Sequence, residues 1–213
     1  MKNMTERNFR ILMVFVGMTL TGICVGIFQF LVLGLDPFTS FVTAFVNIFG
    51  VRFSITYMAV ICVMLIIVFL LQKKYIGITT FLNLFLIGIM ADITRAIMEY
   101  LITSPSMTFR IILMIINVVA LSFAASLYFT ANLGVSAYDA IALMAANDYK
   151  ITQFRFCRIA TDLICVATGF TFGADIGVGT IITAFCMGPI IQFFNENFSE
   201  PLLNAKRNAR HLR

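Results

Sequence analysis

Apolar positions along the chain gather into six runs, at about 9–33, 54–72, 76–101, 109–130, 153–172 and 177–197. Each is near the ~20 helical residues that a hydrocarbon core requires. The pattern therefore predicts six membrane-spanning helices. Two further apolar runs, 37–49 and 137–147, are too short to cross. Each follows a glycine break. Gly34-Leu35-Asp36-Pro37-Phe38 offers Asp36 as an N-cap and Pro37 as the first helical residue, where a missing N–H costs nothing. Gly134-Val135-Ser136-Ala137-Tyr138-Asp139 has Ser136 and Asp139 at capping-box spacing. These short helices either dip into the membrane, presenting their positive N-termini to a central pathway, or lie flat at its surface.

The layout repeats at an offset of 100 residues. Phe9-Arg10-Ile11 recurs as Phe109-Arg110-Ile111, Leu33-Gly34 as Leu133-Gly134, and Asn47 as Asn147. Ile76-Gly77, Thr80, Phe85 and Gly88 recur as Ile176-Gly177, Thr180, Phe185 and Gly188. Three spans per half is an odd number, so the second half enters the membrane from the opposite side. The expectation is an all-α polytopic membrane protein built from two inverted three-helix repeats, 1–101 and 102–200, each with a short broken or re-entrant helix. A basic tail, 201–213, follows. Inverted repeats with broken helices recur in secondary transporters.

Composition agrees with a membrane protein: 61% of the 213 residues are hydrophobic, 12% are charged, and the mean hydropathy is +0.98. A soluble domain is nearer a quarter charged. Lysine and arginine placement orients the chain. With the N-terminus in the cytoplasm, Lys2, Arg7, Arg10, Lys73, Lys74, Lys150, Arg155, Arg158, Lys206, Arg207, Arg210 and Arg213 fall inside. Only Arg52, Arg95 and Arg110 fall outside, so both termini are expected in the cytoplasm. The first apolar run is too long for a signal-peptide core and reads as a retained helix.

The chemistry on offer is narrow. The single histidine, His211, lies in the tail, and no nucleophile, phosphate-loop or zinc motif occurs. Five cysteines without CxxC spacing suggest neither a disulfide framework nor a metal site. No enzyme activity, no cofactor and no specific nucleic-acid partner is expected. The sharpest signal is Arg155, Arg158 and Asp162, which share one face of the fifth span. At ~1.5 Å per residue, Asp162 falls near mid-membrane. A charge there costs at least ~2.5 kcal/mol, so it should be paired, protonated or in water. One reading is a solute site in which the arginines hold an anion and Asp162 carries a proton; the other is an Arg158–Asp162 pair that locks the bundle. Asp139, Ser136, Asp36, Thr80 and Thr180 complete the candidate binding set. Asp92, Arg95 and Glu99 have the spacing of local ion pairs. Gly22 and Gly26, with Ser122 and Ser126 at matching positions, read as packing faces that bring the first and fourth spans together.

Gly34-Leu35-Asp36-Pro37-Phe38 resembles the first break of the YczE/YyaS/YitT family of bacterial integral membrane proteins. Asn132-Leu133-Gly134-Val135-Ser136-Ala137-Tyr138-Asp139-Ala140 resembles its second. Arg155, Arg158 and Asp162 are similar to its charged face, and Ile176-Gly177-Val178-Gly179-Thr180 with Gly188-Pro189 to its ending. The likeness is closest to the YczE-like branch and departs at Thr79, where the second half has Gly179. It implies six spans in a bacterial inner membrane and little about chemistry. The expected function is a secondary transporter or exporter of a small polar solute, anions included. The alternative is a binding or accessory subunit acting with a membrane partner. Lipid, a small solute, and a second copy or membrane subunit are the expected partners.

Overall fold

A computed structural model describes residues 6–211, without the side chains of Arg155 and of 207–211. The helices are α1 Glu6–Leu31, α2 Pro37–Phe49, α3 Phe53–Leu71, α4 Ile78–Leu101, α5 Met107–Ala131, α6 Ala137–Leu143, α7 Phe154–Thr171, α8 Val178–Phe194 and α9 Glu200–His211. A π turn lies within α4 at Asn83–Ile87, another extends α6 over Met144–Asp148, and a third joins α8 to α9 over Asn195–Ser199. No strand occurs among the described residues. The basic tail is therefore helical as far as it is described.

Five helices are long and apolar enough to cross a membrane: α1, α3, α4, α5, and α8 with its continuation. The fifth predicted span, α7, has 18 residues but contains Arg155, Arg158 and Asp162, and this charge keeps it out of that group. The caps are those expected of the breaks. Asp36 accepts from the Thr39 N–H at 3.1 Å with Pro37 as the first helical residue. Ser136 accepts from the Asp139 N–H at 3.0 Å.

The long helices α1 and α5 cross at the centre, but not through the predicted small-residue faces. A Cβ built at Gly17 would lie 2.8 Å from the Ala124 carbonyl oxygen, and Asn117 Nδ2 donates to the Cys24 carbonyl at 2.9 Å. Gly22 and Gly26 instead receive α4: a Cβ there would come within 2.6 Å of Met90 Cβ and 2.5 Å of the Ala91 carbonyl. The Ser122 hydroxyl donates to Val118 of its own helix, and Ser126 meets Ser199 of the α8–α9 junction at 2.7 Å. Small residues only permit close approach; which helix uses the space is a tertiary outcome.

Contacts between the two halves recur at the offset of 100. Each break docks on the start of the other half's last long helix. Leu35 N–H donates to Asp175 and Gly179 N–H to Leu33, both at 3.0 Å; Val135 N–H donates to Tyr75 and Thr79 N–H to Leu133, both at 3.2 Å. Arg110 Nη1 reaches the Leu31 carbonyl and Arg10 Nη1 the Ala131 carbonyl, each at 3.0 Å, closing the ends of α1 and α5. Gly34 (φ +112°) and Gly134 (φ +94°) occupy left-handed backbone at the turns. Chain-to-chain distances leave no room for side chains. A Cβ at Gly77 would fall 2.1 Å from the Leu133 oxygen, and one at Gly177 would fall 2.5 Å from the Leu33 oxygen.

The short helices also pack across the halves. Helix α2 lies along α7, with Gly169 against Ser40 and Asn47 Nδ2 donating to the Phe172 and Gly173 carbonyls at 2.9 Å. Helix α6 packs on α3, and its end is tied to the α3–α4 turn by a Lys74–Asp148 ion pair. That hydrogen bond from Lys74 holds the Asp148 carboxyl below its ordinary range.

Gly77→Ala and Gly177→Ala are expected to lower stability by about 3 kcal/mol, the upper end of ordinary overpacking, because backbone faces the added methyl. Gly188→Ala, where nothing lies within 4 Å of a built Cβ, should stay within about 0.5 kcal/mol. Thermal unfolding of the three variants in nanodiscs separates the two classes.

Candidate functional site

The N-termini of α2 and α6 meet at the centre of the bundle. The rings of Phe38 and Tyr138, one from each short helix and 100 positions apart, stack at 4.7 Å. Both helices are buried at this end, and α2 is exposed at the other. Around the stacked rings, α7 supplies Arg158 and Asp162, α6 supplies Tyr138 and Asp139, α5 supplies Tyr128, and the first break supplies Asp36.

Arg158 bridges two carboxylates. Its Nη1 donates to Asp139 Oδ1, and its Nε lies 3.3 Å from Asp162 Oδ1. The spacing of four between Arg158 and Asp162 anticipates the second contact. The first joins the Ser136-Asp139 cap to α7. Asp139 is 2% exposed and Asp162 6%, so both carboxylates are out of bulk solvent. Asp139 Oδ2 also accepts from the Ser136 hydroxyl at 2.7 Å and the Tyr128 hydroxyl at 3.2 Å. This replaces the back-bond of a full capping box: the carboxylate turns from its own helix toward the guanidinium. Tyr138 donates its hydroxyl to Asp162, while its ring lies 4.5 Å from the Arg158 guanidinium carbon. Such a contact adds about 1–2 kcal/mol when desolvated.

Two cavities adjoin this cluster, and Asp36, Arg158 and Met187 line both. The inner one measures about 70 Å³, room for a few waters, and is bounded by Tyr57, Asn83, Tyr128 and Tyr138. The outer one measures about 590 Å³, within the range of small-molecule sites, and runs between α7 and α8 past Phe154, Thr183, Gln192 and Asn195.

The corresponding position between α3 and α4 is shut. Gly88 packs on Ser54, where a Cβ would lie 3.0 Å from the Ser54 Cα; Gly188, its counterpart, has nothing within 4 Å. Asp92 Oδ2 accepts from the Ser54 N–H at 3.2 Å, binding α4 to the first turn of α3. Its counterpart Gln192 bonds to Glu196 of its own helix at 2.8 Å instead. Asp92 was expected to join Arg95 and Glu99; only Arg95–Glu99 forms an ion pair, at 2.7 Å. The free N–H groups at the start of α3 are a stronger draw for the Asp92 carboxylate than an exposed arginine.

Of the candidates read from sequence, Asp162, Arg158, Asp139, Ser136 and Asp36 come together. Arg155 lies in α7, but its side chain is outside the described residues. Thr80 and Thr180 sit at the docking points, where their hydroxyls accept from the Gly77 and Gly177 N–H groups at 3.1 and 3.3 Å. Thr80 also donates to the Val135 carbonyl at 2.7 Å. Arg158 is occupied by two carboxylates, so it is not presented to an incoming anion. Sequence reasoning passed over Tyr128, Tyr138 and Phe38. A tyrosine at membrane depth needs a partner for its hydroxyl, and that signal would have found the first two.

Removing one partner of a buried ion pair leaves the other charge uncompensated, at a cost of about 3–5 kcal/mol. Arg158→Met, which leaves both Asp139 and Asp162 without their cation, should therefore lower thermal stability in nanodiscs by that amount. Asp139→Asn, which leaves Arg158 paired with Asp162, should be closer to wild type than Arg158→Met.

The chain matches the model of a family of unknown function, DUF6198, over residues 8–196. An uncharacterized protein of Haemophilus influenzae is 27% identical over 123 residues, 57% of this chain and 54% of that protein. The uncharacterized membrane protein YczE of Bacillus subtilis is 28% identical over 163 residues, 76% of this chain and 73% of that protein. The chain thus spans about half the length of the first relative and about three quarters of the second. No solved structure matches. The family match covers both breaks, the charged helix and all five apolar helices up to the α8–α9 junction, and so the chain belongs to DUF6198 and is a YczE-like multi-pass membrane protein.

Proposed function

We propose that this protein is a small secondary transporter of a polar solute in the bacterial inner membrane, with both termini in the cytoplasm. In this reading α7 is a sixth span, and the two halves are inverted repeats whose short helices are re-entrant. The observation that carries it is the charged cluster at the floor of a cleft that is open between α7 and α8 and shut between α3 and α4. A transporter needs a central site reached from one side at a time. The matched hydrogen bonds at the docking points support a pseudo-twofold relation, and the unequal Gly88 and Gly188 environments support two alternative states of one design. Helix α7 has the outer face of a span: Phe156, Leu163, Ile164 and Phe170 are exposed, while Asp162 faces inward. Lysine and arginine placement puts the open cleft on the cytoplasmic side.

The test is side-specific labelling in a variant lacking the native cysteines. Gln192→Cys, on the cleft wall, should react with an impermeant maleimide from the cytoplasmic side, and Asn83→Cys, inside the closed half, should resist it from outside. Adding Asp92→Ala removes the Ser54 cap, worth about 1 kcal/mol, and should raise Asn83→Cys labelling about fivefold. Equal reactivity from both sides would indicate a pore. Insensitivity to Asp92→Ala, or labelling of Gln192→Cys from outside only, would contradict the transport cycle.

A further inference from the structure

The central site has an imbalance of charge that the ion pairs do not remove. Among the described residues lining the two cavities, Arg158 is the only base, facing Asp36, Asp139 and Asp162. The remaining titratable groups there are the hydroxyls of Tyr57, Tyr128 and Tyr138. Two carboxylates are served as anions should be. Asp139 accepts from Arg158, Tyr128 and Ser136, and Asp162 accepts from Tyr138 and pairs with Arg158. Asp36 is different. Its Oδ2 takes the Thr39 N–H at 3.1 Å, but its Oδ1 is buried with no hydrogen-bond partner, on a wall shared by both cavities. A buried carboxylate oxygen with no protein hydrogen bond, on a cavity wall that carries two other carboxylates, is a position that a proton or a cation stabilises.

Building on the transport reading, we propose that Asp36 is the exchange point of the site: it holds a proton when the site is empty and yields it to a cationic solute. The carboxylic acid plus the cation gives a carboxylate–cation pair, and the released proton passes to water in the cleft. No other group changes its charge. Asp36 also lines the outer cavity, whose volume of about 590 Å³ admits a small organic ammonium beside the carboxylate. The anionic solute expected from the arginine-rich helix is disfavoured, because two carboxylates already hold Arg158.

The experiment is infrared difference spectroscopy of the full chain in nanodiscs, without substrate, between neutral and alkaline pH. A carboxylic-acid carbonyl band is expected in the wild type at neutral pH. It should vanish in Asp36→Asn and persist in Asp162→Asn. Asparagine caps a helix as well as aspartate, so Asp36→Asn keeps the Thr39 bond and the fold. Methylammonium or tetramethylammonium should remove the band and release protons into weakly buffered medium, whereas acetate should do neither. The assignment is overturned if the band is absent, if it survives in Asp36→Asn, or if it is lost in Asp162→Asn instead. It is equally overturned if neither cation displaces the proton. The band is read without transport, so a protein that shows it but fails the side-specific labelling keeps the proton site and loses only the transport reading.

Discussion

The structure depends on the backbone groups freed at each helix break finding partners inside the protein. An interrupted helix exposes N–H and C=O groups that lipid cannot satisfy. Here each interruption is answered by the other half of the chain. The break after α1 bonds to the start of α8, and the break after α5 bonds to the start of α4. The bonds form only because Gly77 and Gly177 let carbonyls approach within the space a Cβ would fill. Arg10 and Arg110 close the helix ends in the same reciprocal way.

Everything at the centre follows from that docking. The breaks turn the chain so that α2 and α6 start deep in the bundle, and their first turns bring Phe38 and Tyr138 into contact. The caps then become part of the site: Asp36 and Ser136 begin the short helices, and Asp139 in the first turn of α6 reaches Arg158 on α7. The halves share a frame but not a chemistry. Where α7 has Arg158 and Asp162, α3 has Met58 and Cys62, so the charged cluster has no counterpart 100 positions earlier. The frame is also unequal at its rim, where Asp92 clasps α3 and Gln192 leaves α7 free.

Much of this was legible in the sequence because it is local. Run lengths, glycine breaks and caps at Asp36 and Ser136 depend on neighbours in the chain, and so does the Arg158–Asp162 spacing. What was not legible is tertiary. Gly22 and Gly26 announce a close neighbour but not that it is α4 rather than α5. Asp92 lies three residues from Arg95, the partner of Glu99, yet accepts from the Ser54 N–H, 38 residues away. Asp139 looked like a capping residue, and only the fold reveals it as a partner of α7 and Tyr128. The threonines of the repeats were equally suited to backbone or solute; the docking geometry commits them to backbone.

The central claim is that two unequal openings alternate about a fixed hub. Its most direct test is a pair of distance distributions from spin labels in nanodiscs, one across Arg52 and Arg95 at the closed rim, the other across Thr152 and Glu196 at the open rim. Methylammonium or a change of pH should lengthen one distance as it shortens the other. Distances that stay single and unchanged, or that move in the same direction, would contradict the account.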